Sequence, residues 1–167
     1  MSADVALVNA TVATMEGDGY GLLEGASIGI LDGIIDSVGP GRPQAADIVD
    51  LGGRLVTPGL IDTHSHLGVY PAPGTAAHSD GNELTNPVTG YVWAEHSVWP
   101  QDPQFPRVLA GGTTTIQVLP GSGNLIGGRS ITLKVVPGRS VQDQKFPGAP
   151  YVLKMACGRS EEHTSEL

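Results

Sequence analysis

Between Pro58 and Leu119 the sequence orders a short strand, a long connection, a helix and a second strand, and few folds admit that order. Pro58-Gly59 breaks the chain. Leu60 to Leu67 then reads Leu-Ile-Asp-Thr-His-Ser-His-Leu, and Thr113 to Leu119 is apolar and β-branched, as a buried strand requires. Asp102-Pro103 supplies a helix start, an N-cap followed by proline at the first helical position, and Gly111-Gly112 supplies the stop. Pro106 fits poorly in that first turn, because it removes a donor, and it delays the predicted start. Two strands joined through a helix lie parallel. The expected architecture here is α/β. The connection from Gly68 to Asp102 is about 35 residues without clean periodicity, a length that points to a functional or disordered segment.

The first third reads instead as short strands without a helix. Val5 to Asn9, Thr11 to Thr14, Ala26 to Leu31, Ile34 to Val38 and Asp47 to Leu51 are the candidates. Asp32-Gly33 between two of them is a strong hairpin signal, since a type I′ turn needs positive φ at both central residues. These strands predict a small antiparallel β module. Ile131 to Val136 and Tyr151 to Ala156 are further strand candidates.

Charge and composition exclude several functions. The net charge is −8, and the 9 Lys and Arg residues are scattered, so the basic face of a nucleic-acid binder is missing. A single cysteine, Cys157, excludes an internal disulfide framework and a cysteine zinc finger. No apolar run approaches the roughly 20 residues of a membrane span, and the start lacks the basic region of a secretory leader. A cytoplasmic protein with a small-molecule substrate, and with neither nucleic acid nor membrane as partner, is the expectation. Gly121 to Gly128 lacks the Gly-Lys-Ser/Thr ending of a phosphate loop and the spacing of a dinucleotide fingerprint, so it reads as a mobile or turn-forming loop.

His64 and His66 carry the sharpest chemical signal. Residues i and i+2 of a strand project from one face, so two imidazoles stand side by side and can share one metal ion. Nitrogen ligands suit zinc, and also iron, nickel or copper. The competing reading is two polar residues at a strand end. Asp62 shares their face and reads as a hydrogen-bonding support. His78 and His96 lie in the long connection, and His96 is the candidate for substrate binding. Trp93 and Trp99 read as residues that pack that connection down.

The run LVTPGLIDTHSHL, residues 55 to 67, after a β module ending IVDLGGR, closely resembles the amidohydrolase superfamily. The likeness begins at the Asp32-Gly33 hairpin with Ile34-Ile35-Asp36-Ser37-Val38-Gly39, continues through AEHSVWPQDPQF and LAGGTTTIQVLPGS, and is strongest to imidazolonepropionase-like members. It implies a TIM-type (β/α) barrel of which only the first strands are present, behind a small antiparallel β-sandwich module. The implied domains are 1–57 for the β module and 58–158 for the start of the barrel. The resemblance makes His64 and His66 ligands of a divalent metal, zinc before iron or manganese. That metal would activate a water for attack on a non-peptide carbon–nitrogen bond, as in a cyclic amide. It also implies a homo-oligomer in the full-length form, and it raises Lys154, in an apolar strand, as a carboxylated bridging ligand.

Further histidines and a late aspartate, which the resemblance places on later strands, do not occur here. A barrel needs about 250 residues, so the expectation is a truncated, inactive fragment. Residues 159–167, RSEEHTSEL, resemble a translated sequencing adapter and are expected to be foreign. A dipeptidase or deaminase of the same superfamily, a non-catalytic barrel homologue and a genuine short β protein are the alternatives.

Overall fold

The computed structural model describes residues 2–157, so the expected foreign tail lies outside the described residues. Contacts divide the chain between Pro58 and Gly59 into two compact units. The described chain is mostly β, arranged in three small sheets that do not close into a barrel.

The first unit is one five-stranded sheet built from β1 (Ala3–Ala13), β2 (Leu22–Leu31), β3 (Ile34–Gly39), β4 (Ala45–Asp50) and β5 (Leu55–Val56), in the order β3-β2-β1-β4, with β5 also on β1. The Asp32-Gly33 turn forms as its chemistry requires, with φ of 52° and 75°. The two strands expected before and after Ala10 are a single strand. Asn9 takes φ 57° at a register shift, and Asn is among the few side chains that tolerate this conformation. Its side chain donates to Asp50 at 3.1 Å, which ties the irregularity to β4.

The antiparallel module needs correction. β2 is antiparallel to both β1 and β3, but β4 and β5 run parallel to β1. The segment Pro40-Gly41-Arg42-Pro43 cannot turn back as a tight hairpin, and it crosses the sheet instead. Pro43 comes to rest over Gly29, where a Cβ would stand only 3.7 Å from the ring. β4 therefore enters on the far side of β1. Nor is the unit a sandwich among the described residues: it holds one sheet, around Ala10, Val12, Ala26 and Ile28.

The second unit contains the expected strand–helix–strand. β6 (Leu60–Ser65) pairs in parallel with β7 (Thr113–Val118), Asp62 opposite Ile116 and Ser65 opposite Val118, and α1 (Gln104–Ala110) lies between them in sequence. β9 (Ile131–Lys134) runs antiparallel on the other side of β7. β8 (Ile126–Arg129) pairs with β10 (Leu153–Met155), and α2 (Val141–Gln144) is a single turn. Ile116, Val118, Ile131, Leu133 and Val135 supply the strand side of a core that Phe105 of α1 and Val69, Ala94 and Val98 of the long connection complete.

The long connection is held at both ends by one side chain. Gly68, at φ 80°, turns the chain out of β6 so tightly that a Cβ would sit 2.9 Å from Val98. The carboxylate of Asp102, 1% exposed, accepts the Gly68 N–H at 3.2 Å and the Gln104 N–H at 2.9 Å. Asp102 thus caps α1 from one residue further out than expected, because Pro103 occupies the backbone N-cap position. Pro106 is tolerated because first-turn N–H groups have no intrahelical partner.

A second clamp fixes the middle of the connection. Glu95 accepts from Lys145 at 2.9 Å and from Tyr151 at 2.9 Å; Lys145 also bonds Tyr151. Trp93 stacks edge-on against Tyr151, and Arg129 lies 4.4 Å over the Trp93 ring. The Lys145 hydrogen bond, helped by that of Tyr151 and opposed by burial, holds the Glu95 carboxyl below its ordinary range. A lowered carboxylate value stabilises the fold above the unfolded value, and that stabilisation is lost as pH falls through the folded value. The stability gap between the native chain and Glu95→Gln, followed as Tm, should therefore narrow from about pH 6 to about pH 3. A gap independent of pH would show that the ion pair contributes nothing.

Candidate metal centre

β6 delivers His64 and His66 to the carboxyl end of the parallel pair, where the chain leaves the sheet. Their ring centroids are 5.3 Å apart and nearly perpendicular, at 86°. Two imidazoles on one tetrahedral ion, with metal–nitrogen bonds of about 2.0–2.1 Å, bring their ring centres to about this separation. The donor chemistry and spacing therefore fit a zinc-type ion in part. A catalytic site needs about three protein ligands, and among the described residues no group of three or more His, Cys, Asp or Glu could hold a metal.

The support for each ring differs. His66 Nδ1 lies 2.9 Å from the carbonyl oxygen of Leu119, at the end of β7. A carbonyl only accepts, so Nδ1 carries the proton and, in the neutral ring, the lone pair is on Nε2. A backbone carbonyl behind an imidazole is the usual partner of a metal-binding histidine. Asp62 acts one step away: its carboxylate accepts the backbone N–H of His64 at 3.0 Å and so fixes the strand end. His64 Nε2 lies 3.4 Å from Nζ of Lys154, which β10 brings into the site with its side chain buried. A lysine ammonium has no acceptor, so it donates to that nitrogen.

Tyr70 stands edge-on to His66, ring centroids 5.7 Å apart. Asn82 bonds its hydroxyl, and burial pushes the phenol above its ordinary value, against the opposing effect of that bond. Neither residue carried a sequence signal, because their contacts with the loop after β7 span up to about 50 residues of chain. The other candidates lie elsewhere. His96 is the exposed end of a 3-10 turn, Ala94–His96, whose first residue is buried, and its charge helps to lower Glu95. His78 packs on Trp99, ring centroids 4.9 Å apart. Both tryptophans pack the connection, as expected, and Cys157 is an exposed free thiol. The glycine-rich loop bends back onto the long connection: Gly121 N–H donates to Gly81 and Gly123 N–H to Asn82.

Comparison with known proteins identifies the family of the chain. No family model matches the chain. Amidohydrolase tasK of Hapsidospora irregularis is 35% identical over 127 residues, covering 71% of this chain and 13% of its own length. Imidazolonepropionase of Cereibacter sphaeroides is 37% identical over 134 residues, covering 70% of this chain and 34% of its own. The crystal structure of an amidohydrolase from Thermotoga maritima superposes with a TM-score of 0.79 at 36% identity, over 93% of this chain and 39% of that one. The chain belongs to the amidohydrolase superfamily and is imidazolonepropionase-like within it. It spans about a third or less of the length of these curated relatives.

Proposed function

We propose that this chain is the amino-terminal part of a metal-dependent hydrolase that cleaves a non-peptide carbon–nitrogen bond, that of a cyclic amide or a related group, inside a TIM-type (β/α) barrel. The observation that carries the reading is the His64–His66 pair at the end of β6, with His66 oriented by the Leu119 carbonyl. The described residues provide two of the ligands; the remaining donors and the proton-transferring carboxylate belong to later strands of such a barrel. A bound divalent ion, zinc by ligand type, supplies Lewis acidity and a water activated near neutral pH. His64 and His66 hold that ion, Leu119 keeps the His66 proton on Nδ1, and Asp62 keeps the strand end from shifting. A small-molecule substrate enters over the segments that follow β6 and β7.

Lys154 opposes this arrangement as long as it is a cation on His64 Nε2. A unit charge 4 Å from another is worth about 1 kcal/mol in water, and about twice that for a dication. Lys154→Met should therefore tighten zinc binding by more than tenfold in carbonate-free buffer, read by calorimetric titration. A loss of affinity in that variant would assign Lys154 to the ligand set instead.

The activity itself is tested in a full-length protein carrying this segment, against a panel of cyclic amides. Ring-opened acid product is expected, and it should vanish in His64→Ala and His66→Ala. Release of ammonia from amino-heterocycles, with the cyclic amides untouched, would replace hydrolysis of the amide with deamination.

A further inference from the structure

We infer that Tyr70 and Asn82 are positioning residues for His66, acting through the glycine-rich loop that follows β7. The inference rests on the reading of His66 as a metal ligand, and it assigns work to a loop that the chemistry above leaves unused.

The contacts form a closed path. Asn82 Nδ2 donates to the Tyr70 hydroxyl, and Asn82 Oδ1 accepts the Gly123 N–H at 3.0 Å. Gly121 N–H donates to the Gly81 carbonyl at 2.8 Å, which joins the same loop to the residue before Asn82. Leu119, two residues before Gly121, offers its carbonyl to His66 Nδ1, while its own N–H donates to Ser65 at 2.9 Å. The Tyr70 ring packs T-shaped against that of His66, centroids 5.7 Å apart. His66 therefore touches both the Leu119 carbonyl and the Tyr70 ring, and the Tyr70–Asn82 pair ties the segment carrying Tyr70 to the loop that follows Leu119.

The slot for this pair is cut by glycines. A Cβ on Gly121 would stand 2.6 Å from both the Tyr70 hydroxyl and Asn82 Oδ1, and a Cβ on Gly81 would fall within the phenol ring itself. Glycine backbone thus comes close to the phenol at Gly81 and at Gly121, and a Cβ at either position would displace it. A loop that only had to turn would not require such close approach at Gly121, matched by Gly81 on the connection. Partners of this outer kind are worth roughly 10–100-fold in metal affinity when removed.

The test uses the whole chain, labelled with nitrogen-15, first without metal and then titrated with zinc. Long-range ring spectra at one fixed pH read the His66 tautomer directly. The native chain is expected to show the Nδ1–H form. Tyr70→Phe, which removes one oxygen and keeps the ring, and Asn82→Ala should each lower that fraction and weaken zinc binding by about tenfold or more. Asn82→Asp should restore both, because a carboxylate accepts from Tyr70 and from Gly123 alike. An unchanged His66 ring spectrum in Tyr70→Phe and Asn82→Ala would overturn the inference, even if both variants melted earlier. Should the chain bind no zinc through two ligands alone, the metal-free spectra still decide the positioning role, and the proposed function is decided separately by the activity of the full-length protein.

Discussion

Alanine in place of His66 is expected to remove measurable zinc binding from the chain, and His64→Ala to do the same. With only these two imidazoles at the end of β6, losing either leaves a lone nitrogen ligand there. The cost should exceed the roughly 10–100-fold that follows loss of an outer partner. Calorimetric titration of zinc into the native chain and the two variants measures it. Circular dichroism confirms that the fold survives, since His64 is exposed and His66 only half buried. Retained binding in either variant would place the ion elsewhere and would dissolve the assignment of the pair. The expectation follows from geometry more than from residue type: the two rings stand 5.3 Å apart, and one is already oriented by a backbone carbonyl.

The second large effect is on stability. Asp102→Ala should destabilise the second unit by about 3 kcal/mol, because hydrogen bonds to a charged group are worth about 1.5–3 kcal/mol each and Asp102 makes two. The change also leaves the Gly68 N–H buried without its acceptor. Denaturant unfolding of the native and substituted chains gives the difference directly. A shift below about 0.5 kcal/mol, ordinary for an exposed site, would show that Gly68 and Gln104 find other partners. Since Gly68 lies two residues beyond His66, the same substitution should also loosen the histidine pair and weaken zinc binding.

Local chemistry was legible in the sequence, and long-range pairing was not. The Asp32-Gly33 turn, the β6 and β7 strands and the helix between them follow from residues next to one another, and all form. The parallel entry of β4 depends on Pro43 lying over Gly29, a contact between residues that no short-range pattern connects. β8 escaped notice because Gly127 and Gly128 dilute its strand character, and Gly128 takes φ 126°. α2 is one turn long, below what apolar periodicity can register. Its capping box does carry a signature, Ser140 with Asp143 three residues on, and that could have marked it. At the site, the spacing of His64 and His66 was sufficient to bring them forward. Lys154 stood out as a charge in an apolar strand. Tyr70, Asn82 and the Leu119 carbonyl were invisible because their roles arise only once the loop after β7 folds back on the connection after β6.

The Asp102 carboxylate has a bearing on how such a chain can diversify. By joining Gly68 to the start of α1, it makes the excursion between them a closed cassette whose two ends are anchored independently of its contents. Extending a flexible loop carries only about 0.6 kcal/mol for each doubling in length. The part of the excursion beyond Asn82 can therefore change in length while Tyr70, Asn82 and the two anchors keep the strand-end histidines in place. A scaffold built this way can be refitted for new substrates by editing one stretch of chain and leaving its metal-binding strand unaltered.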